Sequence, residues 1–398
     1  PMFVRDGDGR WLLWERKATH SGGTGEITGE LAGRRIGGDK MTEPVVLAKG
    51  WVDYRVAHDA EVHNGAFAVV ASTLPRDAQR TYVPLSVTIA GAKPFQQEEW
   101  QGWNRVALPL PEAAPQRHDV VEQGKTFHLF WMDSHVHSGL TADAEGEPDE
   151  IMLYGRDRGR LDAMVMQEND FYNCPLTESE YQVGAFYARA FSSEGRFVAL
   201  PGYEWTQQVP ADAGMDKDQS RFWRGSYPNH RTIIYPRAGG PLVRYIDVRG
   251  DITKLYAAVA RAGGVMHTQH PTFDFVDHPV ETSIEVTAGW GVYFLNPGRI
   301  HSTLNRGHRA GFIGTSDSHR RNPGLGGGLT GVYATALTPE AILEAYRAHR
   351  VFATSGSRIV MEARANGVLM GQETVSSPRV RLTLQVKGSR PIRRATLL

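Results

Sequence analysis

Six histidines stand where runs of apolar residues give out. They are His135 and His137 in Asp133-Ser-His-Val-His137, His230 after Asn229, His267 and His270 in His267-Thr-Gln-His-Pro271, and His319 in Ser316-Asp-Ser-His319. Imidazoles and carboxylates are the ligands that zinc, manganese or iron accept. Alternate residues of a strand face one side, so His135 and His137 can reach a single ion. A lone His-x-His is common by chance. The order of the other pieces changes its weight: Gly202-Tyr-Glu204 after one strand, His230 opening the next, Gln269-His270-Pro271 after another, and Ser316-Asp317-Ser-His319 after a last one.

Such residues converge only if strands present their ends on one face, as in a β/α barrel. From residue 126 the apolar runs Phe127–Met132, Leu161–Met166, Phe197–Pro201, Arg231–Tyr235, Gly264–His267, Ser283–Thr287 and Gly311–Thr315 read as buried parallel strands. Helices are expected over 148–159, 177–193 and 252–262, and another from Pro339 to about Arg350 with Thr338 as its N-cap. Arg358–Ala365 and Val380–Val386 read as strands, with Asn366-Gly367 as a tight turn. Residues 1 to 110 show short β-type runs instead, and Asp6-Gly-Asp-Gly9 with Trp11 to Trp14 resembles one propeller blade. The expected organisation is a β-rich domain over 1–110, a linker over 111–125 around Leu108–Pro115, a barrel over 126–357 and a β appendage over 358–398.

The 398 residues carry 44 basic and 44 acidic side chains, which gives no footprint for nucleic acid or an anionic membrane and leaves a small-molecule substrate as the expected partner. The single cysteine, Cys174, excludes an internal disulfide and a multi-cysteine zinc cluster. No apolar stretch approaches the roughly 20 residues that cross a bilayer. No leader is visible in a chain that opens at Pro1, so an excerpt lacking one stays open, and so does the compartment, cytoplasmic or periplasmic and secreted.

The ordered set resembles the polymerase-and-histidinol-phosphatase (PHP) metallohydrolases, whose pattern starts with Asp-x-His-x-His and ends with Ser-Asp-x-His. Pro201-Gly-Tyr-Glu-Trp205, Gly263–Pro271, Gly314–Arg320 and Asn322–Gly331 are similar to the branch that includes carbaryl hydrolase. The resemblance spans about residues 126 to 370 and implies a distorted, TIM-like β/α barrel. It also implies two divalent ions, zinc, manganese or iron. One would be held by His135, His137, Glu204 and Asp317, the second by Glu204, His230 and His270, with Glu204 bridging. A third position would fall to Asp143, Asn169 and His319. Asn169 stands where the superfamily has an imidazole, and two ions are therefore expected. Asp133 is expected to orient an imidazole, and catalytic roles fall to His319, Glu168 and Asp317. The implied activity is hydrolysis by a metal-activated water of an ester, carbamate or related carbonyl compound. A phosphoesterase is the alternative, and a non-catalytic metal- or glycan-binding protein the second.

Other residues have a plainer reading beside the functional one. His267 is expected to pack at a strand end. Glu285, a charge inside an apolar strand, is as easily a site residue as a buried ion-pair partner. Arg320 and Arg321 read as a solvated pair before an anion clamp. Gly324–Gly328 reads as a flexible rim loop, since no phosphate-loop Lys and Ser/Thr follow it. Cys174 reads as a packing thiol, and Asp212–Asp218 as a lid or a disordered stretch.

Overall fold

The computed structural model describes residues 2–17, 29–49, 62–63, 66–72, 80–86, 93–94, 117–141, 144–170, 176–206, 230–248, 251–271, 274–295, 297–375, 378–388 and 391–397. The chain divides into two compact units, Pro1–Leu110 with Thr177–Ser179, and Pro111–Leu176 with Glu180–Leu398.

In the first unit, strands Met2–Asp6, Gly9–Lys17, Gly29–Gly37, Lys40–Met41 and Lys93–Pro94 form an antiparallel ladder, and Val45–Lys49 pairs beside Gly29–Gly37. Alternation along the second strand buries Trp11 and Leu13, with Ala32 buried on the strand that pairs with it. Val62–His63, Ala66–Ser72 and Arg80–Ser86 make a separate three-stranded sheet.

The second unit is built on a curled mixed sheet. Its main strands are β1 (Lys125–Val136), β2 (Ala163–Met166), β3 (Val198–Trp205), β4 (Arg231–Ile234), β5 (Val265–Thr268), β6 (Glu281–Ala288), β7 (Gly311–Gly314), β8 (Leu329–Ala334) and β9 (Val351–Thr354). The ladder order is β7-β6-β5-β4-β3-β2-β1-β8-β9. Helices α1 (Pro148–Leu153, continued by a π turn over Tyr154–Arg158), α2 (Glu178–Phe191), α3 (Ile252–Arg261), α4 (Gly298–Asn305) and α5 (Pro339–Arg347) lie between strands.

The strands are not all parallel, as the apolar runs suggested. β4 is antiparallel to β3 and β5, and β8 is antiparallel to β1 and β9. A strand buried on both faces shows the same continuous apolar run whichever way it points, so direction was not readable from it. Nor is the sheet an eight-stranded parallel barrel. Among the described residues no ladder joins β7 to β8, and the Thr330 hydroxyl spans the gap, accepting from Gly314 N at 3.2 Å and donating to Gly314 O at 2.7 Å.

Part of the expected linker is a hairpin. Asp119–Glu122 pairs with β1 through Gln123-Gly124, both at positive φ (49° and 75°), the conformation of a two-residue hairpin turn. Residues 108–115 lie outside the described residues. Asn366-Gly367 forms a like turn (φ 51° and 86°) between Val360–Ala365 and Val368–Leu369, and Leu382–Lys387 completes that three-stranded sheet.

The core sits inside the curl. Phe130 and Met132 of β1, Val198 and Leu200 of β3, Val265 of β5 and Ile313 of β7 pack with Ile342, Leu343 and Tyr346 of α5. Their neighbours Met164, Ala199 and Met266 pack instead against α1, α2 or α3 on the outer face. α5 thus fills the interior, started by Pro339 and by Thr338, whose hydroxyl accepts from Ala341 N at 3.3 Å. No helix among the described residues is long and apolar enough to cross a membrane.

One ion pair is sealed in the sheet. Arg231 of β4 donates to Glu281 of β6 from Nε at 3.2 Å, and its Nη2 lies 3.1 Å from the other oxygen, with both side chains fully buried. Tyr256 and Thr268 also donate to Glu281. Removing one member strands the other charge in the interior, which costs about 3–5 kcal/mol. Arg231→Met is expected to lose that much stability in urea denaturation, and Arg231→Met with Glu281→Leu to regain most of it.

Candidate metal centre

The inward stripes that build the core continue upward into polar residues. On β3, Val198 and Leu200 are followed two and four residues on by Gly202 and Glu204. On β1 a register shift between Asp133 and Val136 moves the inward stripe from even to odd numbers, so that His135 and His137 continue it while Val136 packs outward. β4 runs the other way, which brings its amino end, and His230, to the edge where β3 and β5 end. His270 follows β5, Glu285 lies within β6, and Asp317 and His319 follow β7. His230 and Asp317 hold positive φ (44° and 45°), uncommon for non-glycine residues and found where surrounding structure over-determines the backbone.

These side chains meet in one buried cluster. His135 Nε2 and His137 Nε2 are 3.0 Å apart. Asp317 Oδ1 lies 3.4 Å from the first and 3.2 Å from the second, and its Oδ2 lies 3.8 Å from His270 Nε2. Glu204 Oε2 lies 3.4 Å from His135 and 3.5 Å from His137, while its Oε1 is 2.5 Å from His230 Nδ1. Glu285 reaches His135 Nδ1 at 3.2 Å and His270 Nδ1 at 2.8 Å. Two overlapping groups of side chains could hold an ion, His135-His137-Asp317 and His270-Glu285-Asp317, which share Asp317; Glu285 reaches its two histidines at Nδ1, on the side away from Asp317.

Among the described residues, every ion pair made by Glu204, Glu285 and Asp317 is with an imidazole. Burial alone would raise all three carboxyl pKa values, yet bonds and charges from the histidines hold all three below the ordinary range. His135 shows the converse. Burial opposes its charged form, but Asp317, Glu204 and Glu285 outweigh that and hold its pKa well above the usual value. His137 is lowered, by burial first and then by the neighbouring His319. A divalent cation fits this donor set: anionic oxygens and imidazole nitrogens converge where the metal-free protein has only protons to balance them.

Glu168, expected to be catalytic, uses both carboxylate oxygens inside the loop after β1. It accepts from Ser138 N at 3.2 Å, Ser138 Oγ at 2.5 Å and Thr141 Oγ1 at 2.6 Å. With its proton so committed, Thr141 Oγ1 accepts from Asn169 N at 3.0 Å and lies 3.4 Å from His137 Nδ1, which sets His137 with its Nε2 lone pair toward the cluster. Glu168 therefore acts on His137 through Thr141. Among the described residues Asp133 bonds no imidazole ring. Its oxygens accept from the backbone amides of Ser316 (3.0 Å), Gly324 (2.8 Å) and His135 (3.4 Å), tying β1 to the two segments after β7.

Of the expected third position, Asp143 lies outside the described residues. Asn169 Oδ1 accepts from Thr206 Oγ1 at 3.2 Å. The His319 ring packs on His137 at 4.2 Å, with Nδ1 donating to Asp317 O at 3.2 Å. Cys174 and Asp212–Asp218 also lie outside the described residues. His267 is fully buried below the cluster, stacked on Tyr346, with its pKa pushed down to about 3 by burial.

Arg320 and Arg321 are exposed and pair with Glu145 and Glu150. The glycine run is a tight fit, not a loose rim: a Cβ on Gly327 would lie 2.5 Å from Gly289 N, and one on Gly328 2.6 Å from Thr287 O. Glycine is needed there because two backbones pass in contact. Trp290 and Tyr293 were missed in the sequence. The Trp290 indole donates to Asp317 O at 3.0 Å with its ring edge-on to His319, and Tyr293 packs on His270 at 5.1 Å. Their signal was the aromatic run Trp290–Phe294 directly after β6.

Residues 306–379 match the family described as "Protein of unknown function (DUF3604)". An uncharacterized protein of Chlamydia trachomatis serovar D is 22% identical over 295 residues, which are 66% of this chain and 45% of that protein. The match thus spans less than half the length of that relative. A crystal structure from Bacteroides vulgatus, of a two-domain protein containing a predicted PHP-like metal-dependent phosphoesterase, aligns with 61% of this chain and 70% of its own at 18% identity, with a TM-score of 0.41.

Asp317, Glu204 and Glu285 raise the His135 pKa and so favour its protonated form, and a cation that binds there competes with that proton. Affinity for Mn²⁺ or Zn²⁺ is expected to rise with pH through neutrality. Calorimetry in buffers of different ionisation heat should show net proton release at pH 7, and His135→Gln should reduce it; release unchanged in that variant would place the cation elsewhere.

Proposed function

We propose that this chain is a metal-dependent hydrolase acting on an ester, carbamate or related carbonyl compound. The observation that carries the reading is the buried cluster of Glu204, Glu285 and Asp317 balanced only by imidazoles among the described residues. Such a donor set has a ready use as a site for divalent ions and little use as a structural core, where buried ion pairs seldom repay their desolvation. In this reading His135, His137, Glu204 and Asp317 hold one ion, and Glu204, His230 and His270 hold another. When bound, the ions supply Lewis-acid polarisation of the scissile bond and lower the pKa of water toward neutrality.

The remaining work falls to this chain's own groups. His319, packed on His137 and held through Nδ1 by Asp317 O, is placed to move a proton at its other nitrogen. Trp290 packs against its ring and limits its swing. A phosphoester would draw guanidinium groups to its charged oxygens. Arg320 and Arg321 are instead exposed and engaged by Glu145 and Glu150, which favours a neutral carbonyl substrate.

The test is turnover of aryl esters, carbamates and aryl phosphodiesters by protein reconstituted with manganese or zinc. Carbonyl substrates are expected to turn over, and Glu204→Gln to abolish the activity and most metal binding. Arg320→Ala and Arg321→Ala should each cost less than about tenfold in kcat/KM, below roughly 1.4 kcal/mol of transition-state stabilisation. A loss of several hundredfold in either, with a preference for phosphodiesters, would make the chain a phosphoesterase. Tight metal binding with no turnover of any class would make it a binding protein.

A further inference from the structure

We propose that Glu285 is a positioning residue that sets both halves of the metal centre at once, by fixing on which nitrogen His135 and His270 carry their protons. The inference rests on the metal-binding reading above. Glu285 is fully buried within β6. Its Oε1 lies 2.8 Å from His270 Nδ1, and its Oε2 lies 3.2 Å from His135 Nδ1 and accepts from Thr315 Oγ1 at 2.5 Å. An ionised carboxylate only accepts, so both imidazoles must present an N–H at Nδ1, and each neutral ring keeps its lone pair on Nε2. Those two Nε2 atoms face opposite oxygens of Asp317, at 3.4 Å from Oδ1 and 3.8 Å from Oδ2.

His135 belongs to the first proposed ion and His270 to the second, so one side chain governs a ligand of each. Glu204 holds a different imidazole, through His230 Nδ1. Asp133 spends its oxygens on backbone amides. Glutamine at position 285 would offer one acceptor and one donor. Its amide N–H can be met only by a ring nitrogen bearing a lone pair, so one of the two histidines would turn an N–H toward the ion.

The experiment uses full-length protein with ¹⁵N-labelled histidine, metal-free and at alkaline pH, where two-bond ¹H–¹⁵N spectra report which nitrogen is protonated. Both His135 and His270 are expected to read as Nδ1–H in the wild type, and one of them as Nε2–H in Glu285→Gln. Titration with Mn²⁺ or Zn²⁺ should show affinity weakened about 10–100-fold in the variant. A wild-type spectrum with either ring neutral and protonated on Nε2 rather than Nδ1 overturns the proposal and requires no variant to fold. A folded Glu285→Gln with unchanged tautomers and unchanged affinity overturns it equally. Failure of the wild type to bind either ion overturns the metal-binding reading instead, and the wild-type tautomers still decide the role of Glu285.

Discussion

Glu204, Glu285 and Asp317 are buried within a few ångströms of the same imidazoles. Taking an ion of this kind out of water costs several kcal/mol even after relaxation, and three of them in one place would repel one another. The cluster therefore persists only while positive charge is held among them, as protons on the histidines or as cations. Much of the surrounding structure serves that balance. Thr315 and Thr141 fix carboxylates and rings by hydroxyl bonds, Asp133 locks the segments on either side of Asp317 to β1, and His230 and Asp317 are held in left-handed backbone. Any one of these features alone would be a cost. Together they make an arrangement that a rigid scaffold can impose and a solvated surface cannot.

That scaffold is the curl of the sheet around α5. The inward positions near its base are apolar and closely packed, so the strand ends above them cannot spread without opening the core. Tyr346 of α5 links the two levels, lying in the apolar cluster while its ring stacks beneath His267. The site is thus rigid from below, and the buried Arg231–Glu281 pair ties β4 to β6 across β5 beside it.

How much of this could be read in the sequence depended on whether residue type alone decides the answer. His135, His137, Glu204, His230, His270 and Asp317 were legible as a set because each ends or begins an apolar run, and they do lie together. Helix α5 was legible because Thr338 and Pro339 are start signals with a mechanism. Strand direction was not, since β4 and β8 have the same apolar character reversed or not. Glu285 announced its burial but not its partners, which lie 150 and 15 residues away in the chain. Asp133 fitted a pattern that gives the residue and not the direction of its oxygens. The glycines at 326–328 are equally compatible with looseness and with close backbone approach, and only the passing strand end at 287–289 decides between them.

The placement of α5 bears on how the chain is made. It is encoded after every ligand of the cluster, yet it fills the space on which their geometry rests. A nascent chain that has emerged through Asp317 has its carboxylates and imidazoles in hand but no interior to hold them, and both edges of its future sheet are still bare. Long-range pairings of this kind form slowly and leave apolar strands exposed while they wait. The finished packing of the centre thus needs residues up to 347, and until they are in place the half-built sheet must avoid its neighbours.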